Sequence, residues 1–277
     1  MNKNILDRYE DFKPIYEKIL RDFQFNREMD RKARDILLNI FTQKKAEWTS
    51  EKIVFNFRTD IQHYSNILIY GCGPSLEETV RRLFDNKKKP YFENFVHLAA
   101  DGASILLKEM NLPIHGLFTD LDGITNAEFE YAKFVIVHGH GDNIDKVKQF
   151  EKEIIKKENI IGTTQVKPKG PIFNPGGFTD GDRILYFIRN LILSNQKIFF
   201  IGMDFNKIVG KYSKPEFSRN KKANETKRKK LIYAKKLIEE LVDKMDNDIY
   251  FVNSLTSSDS KQFKYISFKE FENKVVF

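Results

Sequence analysis

Two hydrophobic patterns succeed each other along the chain. In the N-terminal part, apolar residues such as Tyr16 and Ile19 recur at the spacing of an α-helix. Further on, short apolar runs alternate with amphipathic segments, which is typical of a parallel sheet built from right-handed crossover units. We therefore predict an α/β protein with a mainly parallel sheet flanked by helices. A helical region, residues 1–60, precedes an α/β domain, residues 61–277, and is expected to cover part of its apolar surface.

The predicted strands are the apolar runs, and the predicted helices lie between them. Runs this apolar suit strands that are covered on both faces. The strands are NILIYG (66–71), FVHLAA (95–100), HGLFT (115–119), FVIVHG (134–139), KIFFIG (197–202) and DIYFV (248–252). The helices cover residues 75–84, 102–110, 143–157, 180–193 and about 222–245.

Composition limits the class of protein and its location. The chain has 277 residues, 41% of them hydrophobic, which allows a large core and excludes global disorder. The charged N-terminus does not resemble a signal peptide, and no apolar run approaches the roughly 18 residues of a membrane span. We therefore expect a cytoplasmic protein with no membrane partner. The single cysteine, Cys72, excludes an intrachain disulfide, and we expect it to be structural rather than nucleophilic.

The net charge of +8 raises the question of nucleic-acid binding. Lysines are concentrated in the run at residues 220–230, but no aromatic residues alternate with them as a single-strand stacking surface requires. The charge therefore argues for solvated faces and for attraction of an anion such as ATP, and against nucleic acid. The sequence leaves a homo-oligomer open.

Glycine and aspartate recur directly after the predicted strands. Open α/β sheets bind ligands at this edge, where the carboxyl ends of the strands lie. Several such turns on one edge exceed what folding requires, so the sequence predicts a ligand site there. The turns are GCGPS (71–75), ADGA (100–103), TDLDG (119–123), HGHGDN (138–143), NPGGFTDGDR (174–183) and GMDF (202–205).

The first of these turns has two interpretations. Gly71 and Gly73 permit close approach of the backbone to a phosphate, beside the N–H groups that begin the next helix. Alternatively, the turn is an ordinary corner in which Ser75 caps the helix and Glu78 completes a capping box. The turn is neither a Walker A loop nor a full dinucleotide-binding glycine motif.

Asp120 and Asp122 are the predicted metal ligands. One residue separates them at a strand end, so both carboxylates can face one ion, and Mg²⁺ prefers oxygen ligands. The alternative is an Asx turn or a helix cap. Because Asp101 and other acids should lie on the same edge, their mutual repulsion favours a bound cation.

Two further groups of side chains have alternative roles. His138 and His140 either hold a transition metal or hydrogen-bond to backbone or substrate. Asp180 and Asp182 are good capping residues at a helix start, and Arg183 is placed to contact phosphate.

These motifs, in this order, resemble the archaeal 6-hydroxymethyl-7,8-dihydropterin pyrophosphokinases. The order ADG, DLDG and TDGD also looks like the catalytic domain of thiamine pyrophosphokinase. The resemblance covers about residues 66–205; the N-terminal 60 residues and the lysine-rich segment after Gly210 match no motif of the family. The matching pieces are GCGPSLE (71–77), AADGA (99–103), TDLDG (119–123), HGHGDN (138–143), GFTDGDR (177–183) and IGMDF (201–205).

The resemblance implies a Rossmann-like catalytic domain, ATP, Mg²⁺ and a pterin substrate with a primary hydroxyl. That hydroxyl would attack the β-phosphorus of ATP and release AMP, in folate or tetrahydromethanopterin synthesis. It also implies a role for each residue at the strand ends. Magnesium would be held by Asp120 and Asp122, with Asp101 as a further ligand or a pterin contact. Phosphate would be cradled by Gly71, Gly73 and Ser75. Phosphate or metal-bound water would be oriented by His140, Asp142 and Asn143. The base would be Asp180 or Asp182, with Arg183 as a phosphate clamp.

Two other classes of function remain open from the sequence. A sugar-nucleotide glycosyltransferase of a related domain family shares the GxGPSL opening and would release a nucleoside diphosphate instead of AMP. A regulatory module that binds a nucleotide or a pterin would show no turnover.

Overall fold

The structure is a computed structural model, and it describes residues 5–84, 94–255 and 260–275. Within these ranges, nine strands form one sheet in the order β11-β10-β7-β1-β2-β3-β4-β5-β6, and every pairing between neighbours is parallel. The strands are β1 (Asn66–Tyr70), β2 (Phe95–Ala100), β3 (Gly116–Thr119), β4 (Phe134–Gly139), β5 (Ile160–Thr164), β6 (Ile172–Phe173), β7 (Lys197–Ile201), β10 (Ile249–Val252) and β11 (Lys264–Ile266). The predicted α/β class is confirmed.

Helices precede the sheet and connect its strands. The three N-terminal helices are α1 (Tyr9–Phe23), α2 (Arg27–Phe41) and α3 (Ser50–Gln62). The others are α4 (Leu76–Leu83), α5 (Ala103–Glu109), α6 (Asn126–Tyr131), α7 (Ile144–Gln149), α8 (Glu151–Lys156), α9 (Asp180–Ile188), α10 (Glu225–Val242) and α11 (Phe268–Lys274). Short 3-10 turns span Gly141–Asn143 and Lys211–Ser213, and β8 (Ile208–Val209) pairs with β9 (Lys221–Lys222) in an antiparallel hairpin. Among the described residues, no helix combines the length and the apolar character that a bilayer crossing needs.

All six predicted strands are present, but the sheet extends beyond them on both sides. On one side, β5 and β6 continue the sheet from β4, and on the other side β11 pairs with β10. The prediction that Ser75 and Glu78 form a capping box is wrong. Ser75 begins α4 without a side-chain capping bond, because its hydroxyl is directed elsewhere.

The N-terminal helices share the cores of the sheet. Phe12 and Phe57 belong to the apolar cluster on one face, whereas Leu37 and Ile40 of α2 belong to the cluster on the other. Helix α2 also packs against the turn Gly141–Asn143 and against α7. The helices therefore cover the sheet as expected, and the division into two domains at residue 60 stays a prediction.

The order of the strands places a switch point between β1 and β7. From β1 the chain adds β2 to β6 in one direction, and from β7 it adds β10 and β11 in the other. The helices that follow these two strands lie on opposite faces of the sheet, with Leu76 of α4 in one apolar cluster and Leu237 of α10 in the other. Doubly wound sheets bind ligands in the crevice at such a point.

Candidate functional site

A cleft with two lobes lies along the carboxyl edge of the sheet. The switch-point lobe encloses about 1050 Å³ including space open to solvent, and its lining includes Gly71, Gly73, Asp101, Asp122, Met203 and Lys214. The second, which we call the α2 lobe, encloses about 760 Å³, and its lining includes Phe25, Asp30, His140, Gln165, Phe178 and Arg183. Five residues line both lobes: Asp120, Thr179, Asp180, Lys227 and Lys230.

An acidic triad lies where the lobes meet. Asp101, Asp120 and Asp180 each offer one carboxylate oxygen within 4.8 Å of the others, and no other such group of metal-binding side chains occurs in the described part of the chain. The three residues follow β2, follow β3 and begin α9, so the fold brings them together from distant parts of the sequence. Asp101 has a positive φ of 45°, and Thr119 Oγ1 donates to its Oδ1 at 2.7 Å.

The charges of the triad are poorly compensated by the protein. Burial, together with the nearby charges of Asp120 and Asp180, raises the pKa of Asp101 well above its ordinary value. Burial and the charge of Asp120 raise the pKa of Asp180 to about 7, although Arg183 opposes the shift. Burial also raises the pKa of Asp120, but the hydrogen bond and charge of His140 outweigh it, so that pKa lies below the ordinary range. Three hard oxygen donors that repel one another fit a divalent cation such as Mg²⁺.

Asp122 lies outside this triad. Its carboxylate forms an ion pair with Lys214, although Asp120 and Asp122 were predicted from the sequence to share one ion. Burial and the charge of Asp120 raise the pKa of Asp122, and the hydrogen bond from Lys214 works in the opposite direction. Asp122 nevertheless stays beside Asp120, since a side-chain hydrogen bond between the two contributes to both pKa shifts. The structure thus brings Asp180 close to Asp120 and Asp101, and gives Asp122 a cationic partner in Lys214.

The glycine turn after β1 packs against the end of β7. A Cβ atom at Gly71 would lie 2.3 Å from Met203 Sδ, and one at Gly73 would lie 2.5 Å from the Gly202 carbonyl oxygen. Such distances exclude any larger residue while the backbone stays in place. Both glycines line the switch-point lobe, and their role in binding phosphate stays a prediction, whereas Ser75 is buried and directs its hydroxyl and its N–H to the carboxylate of Asp204.

The loop after β4 supports the triad from the side of the α2 lobe. His140 Nε2 lies 3.3 Å from Asp120 Oδ2, and the Asn143 side chain donates to the backbone oxygens of Asp120 and His138. His138 is buried and its Nδ1 lies 3.1 Å from Thr163 Oγ1. Burial and the charge of Arg183 lower the pKa of His138 well below the ordinary value. Within the described residues, neither histidine belongs to the group of three possible metal ligands, and Asp142 is an exposed residue on the rim of the α2 lobe.

Asp180 and Asp182, either of which could be the base from the sequence, have different environments at the start of α9. Asp182 is fully buried, and its carboxylate accepts from the N–H of Phe178 and from both the N–H and hydroxyl of Thr179. Asp180 instead lines both lobes and contacts Arg183 Nη1 at 3.2 Å. Arg183 is also largely buried, and its Nε has no hydrogen-bond partner among the described residues.

Several residues of the cleft were not predicted from the sequence. Lys227 and Lys230 reach both lobes from α10, and Lys214 reaches the switch-point lobe from the loop after β8. These lysines lie in the segment after Gly210 that matched no motif. Asp30 comes from an N-terminal helix; its carboxylate accepts from Tyr16 Oη at 2.6 Å and from the N–H of Gly141 at 2.7 Å. The lysine-rich composition around residue 225 is the only signal that the sequence carries for these positions.

Sequence comparison with known proteins gives one family profile and three curated relatives. The profile of the family described as "6-hydroxymethylpterin diphosphokinase MptE-like" matches residues 39–210. Three curated archaeal relatives carry the name 6-hydroxymethyl-7,8-dihydropterin pyrophosphokinase. The relative from Pyrococcus furiosus is 32% identical over 84% of this chain and 93% of its own. The relative from Methanocaldococcus jannaschii is 32% identical over 84% of this chain and 95% of its own. The relative from Methanothermobacter thermautotrophicus is 34% identical over 81% of this chain and 90% of its own.

The matched region includes the glycine turn, the acidic triad and the start of α9. The chain therefore belongs to the MptE-like 6-hydroxymethylpterin diphosphokinase family.

Proposed function

We propose that this protein transfers a diphosphate group from ATP to the hydroxymethyl group of 6-hydroxymethyl-7,8-dihydropterin and releases AMP, with Mg²⁺, as a step of folate or tetrahydromethanopterin synthesis. The observation that carries this proposal is the acidic triad at the junction of the two lobes. A transfer between two bound substrates needs both of them to reach one charged centre. The names of the relatives supply the substrate class.

Asp101 and Asp120 would hold the magnesium ion. Protein sites for Mg²⁺ usually supply one or two carboxylates and leave the other positions to water and substrate phosphates. When bound, the ion would neutralise charge on the transferred phosphates and hold them in position. His140 would orient Asp120, and Asn143 would fix the backbone beneath it. Asp122 would be drawn into this site only if its ion pair with Lys214 opens, so we assign it a supporting role.

Asp180 is the residue that we assign as the base. It lines both lobes, so it can face the acceptor hydroxyl while Asp120 faces the phosphates. In the metal-free protein, burial and the charge of Asp120 raise its pKa above the ordinary value, so this carboxylate is disposed to take up a proton. Asp182 is committed to three capping hydrogen bonds, and we therefore do not assign it the role of base.

Cations on two sides would bind the triphosphate. Lys227 and Lys230 come from α10 and Lys214 from the loop after β8, and all three line the switch-point lobe. Arg183 of α9 lines the other lobe beside Asp180, so it would reach only the transferred end of the triphosphate. Burial lowers the pKa of Lys230, with Asp142 opposing the shift, as expected of an ammonium group withdrawn from water before its anionic ligand arrives. Such transfers are catalysed mainly by positioning and by neutralising charge, which is what these side chains can supply.

The test is to incubate the protein with ATP, Mg²⁺ and a panel of acceptors, with AMP release as the readout. We expect AMP only with the hydroxymethyl dihydropterin, in a one-to-one ratio with the diphosphorylated product. Thiamine and a sugar nucleotide serve as comparison substrates. Release of ADP, transfer to thiamine or consumption of the sugar nucleotide would contradict the proposal.

A further inference from the structure

The α2 lobe has an apolar wall that the phosphate chemistry does not explain. The rings of Phe25 and Phe178 lie 6.4 Å apart between centroids, with Phe25 half-buried and Phe178 only 6% exposed. Lys230 Nζ lies 5.3 Å from the Phe25 centroid and 5.9 Å from that of Phe178, so a cation borders this wall. The side chain of Met29 lies exposed at the same lobe. Aromatic and thioether side chains of this kind bind the flat face of a heterocycle.

The same lobe has hydrogen-bonding groups that suit the edge of a heterocycle. Gln165 is only 6% exposed and lines the lobe. Its side chain also interacts with His138. The amide carries both donors and an acceptor, so the part of it that faces the lobe can pair with the alternating donors and acceptors of a pterin edge. Arg183 is a further buried donor there, because its Nε has no partner among the described residues.

The other lobe is better suited to the nucleotide. It is the larger of the two, it lies at the switch point between β1 and β7, and it contains the glycine turn. Doubly wound sheets bind nucleotides at this position, where backbone N–H groups can approach phosphates. Since Asp120 and Asp180 line both lobes, a hydroxyl from the α2 lobe and a phosphate from the switch-point lobe can meet there.

We propose that the α2 lobe is the acceptor site, in which Phe25 and Phe178 hold the face of the pterin and Gln165 determines specificity by binding its edge. The inference rests on the proposed function and assigns the second substrate of that reaction. It also gives the N-terminal region a role in binding, because Phe25 and Asp30 come from that region.

Kinetics and direct binding test this assignment with the full chain. Gln165→Leu removes the amide and keeps the size of the side chain, whereas Phe25→Ala removes a half-buried ring. We expect each variant to raise KM for the pterin by about tenfold or more. Gln165→Leu leaves the pterin edge without its hydrogen-bonding partner, and Phe25→Ala removes a ring that contacts the pterin face. KM for ATP should stay within about twofold in both variants. Phe55→Ala is the matched control, since Phe55 is an N-terminal phenylalanine that is 66% exposed and lies outside both lobes. Its kinetics should equal those of the unmodified protein.

Binding of the oxidised probe 6-hydroxymethylpterin, measured by its own fluorescence without ATP, separates this inference from the proposed function. Weaker binding in both variants with unchanged ATP kinetics supports the acceptor site. If the unmodified protein binds the probe through Gln165 but releases no AMP, the proposed function fails and the acceptor site stands. Unchanged pterin binding in both folded variants, a rise in KM for ATP instead, or no binding to the unmodified protein overturns the assignment. Circular dichroism shows whether each variant folds. If Gln165→Leu does not fold, the test rests on Phe25→Ala, which is less disruptive because the Phe25 ring is only half-buried.

Discussion

The carboxylate of Asp204 binds both hydrogen-bond donors of Ser75. Its Oδ1 lies 2.7 Å from the Ser75 hydroxyl, and its Oδ2 lies 2.8 Å from the Ser75 backbone nitrogen. Oδ1 also accepts from the backbone N–H of Leu255 at 2.7 Å. Asp204 therefore connects the loops that follow β1, β7 and β10, and it fixes the glycine turn at the switch point.

This arrangement predicts unequal effects of two substitutions. Asp204→Ala should lower the free energy of unfolding by about 3 kcal/mol, because both buried donors of Ser75 and the partly buried N–H of Leu255 would lose their acceptor. Ser75→Ala removes one donor and should cost about 1 kcal/mol. Chemical denaturation measures both. If Asp204→Ala keeps full stability but loses activity, Asp204 contacts a substrate and does not stabilise the loops after β1, β7 and β10.

Asp120 and Asp122 should respond differently to removal of their charge. Asp120→Asn should lower turnover by about a hundredfold or more, about 2.7 kcal/mol of barrier at roughly 1.36 kcal/mol per tenfold, and should raise the Mg²⁺ concentration that is required. Asp122→Asn should have a smaller effect, since Lys214 already compensates Asp122. Turnover is measured against Mg²⁺ concentration.

The control for these two variants is Asp145→Asn, an exposed acid of α7 that lines neither lobe. It should behave as the unmodified protein does. Equal and large losses in Asp120→Asn and Asp122→Asn would instead restore the pair that the sequence predicts as joint ligands.

The central strands could be predicted from the sequence, whereas the outer ones could not. Strands such as β1 and β7 are continuous apolar runs because helices cover both of their faces. In β5 the apolar run Ile160–Ile161 is followed by glycine and threonine, and β6 comprises only Ile172–Phe173. Runs this short are ambiguous, and their place in the sheet depends on long-range packing against α2.

The site was predictable to the level of residue type and sheet edge. The positions of Asp101 and Asp120 follow from the rule that ligands bind at the carboxyl ends of parallel strands. The sequence could not tell which of Asp180 and Asp182 lines the cleft, because that depends on which side of one helical turn faces the cleft. The lysines of α10 were also missed, since a lysine-rich helix gives no spacing signal for the few residues that face a ligand.

Asp180 predicts a pH dependence of stability in the metal-free protein. Its pKa is about 7 in the folded protein, against an ordinary value of 3.8, because burial and Asp120 disfavour its charge. The folded state therefore binds the proton more tightly than the unfolded state, and stability should fall as pH rises from about 4 to about 7. Asp180→Asn should raise the thermal unfolding temperature at pH 8 and weaken this dependence. If the unmodified protein instead loses more stability than Asp180→Asn as the pH falls from about 7 to about 4, the pKa of Asp180 is not raised in the folded protein.

Cys72 should be dispensable for catalysis. Burial raises the pKa of its thiol well above the ordinary range, and the thiol donates to the Ala100 carbonyl oxygen at 3.3 Å. A neutral thiol is a poor nucleophile, so Cys72→Ala should retain activity within severalfold. Steady-state AMP release is the measurement. A loss above roughly a hundredfold in a folded variant would indicate nucleophilic catalysis.

Asp30 predicts an energetic coupling between the N-terminal helices and the site. Its carboxylate is 3% exposed and accepts from Tyr16 and from Gly141, which begins the turn after His140. Asp30→Ala leaves the buried Tyr16 hydroxyl and the partly buried Gly141 N–H without their acceptor, and should cost about 2 to 4 kcal/mol of stability. Because the His140 loop would also lose its anchor, turnover should fall together with stability.

Tyr16→Phe separates the two contacts. It removes only the donor from α1 and leaves the bond to Gly141, so it should cost about 1 kcal/mol and leave turnover close to normal. Asp35→Ala on the same helix is the control, since its ion pairs with Arg34 and Lys169 are half-exposed and should contribute little. The measurements are denaturation and AMP release for the three variants. If Asp30→Ala and Tyr16→Phe lose stability equally and both keep full turnover, the bond from Gly141 to Asp30 contributes nothing, and Asp30 does not couple the N-terminal helices to the site.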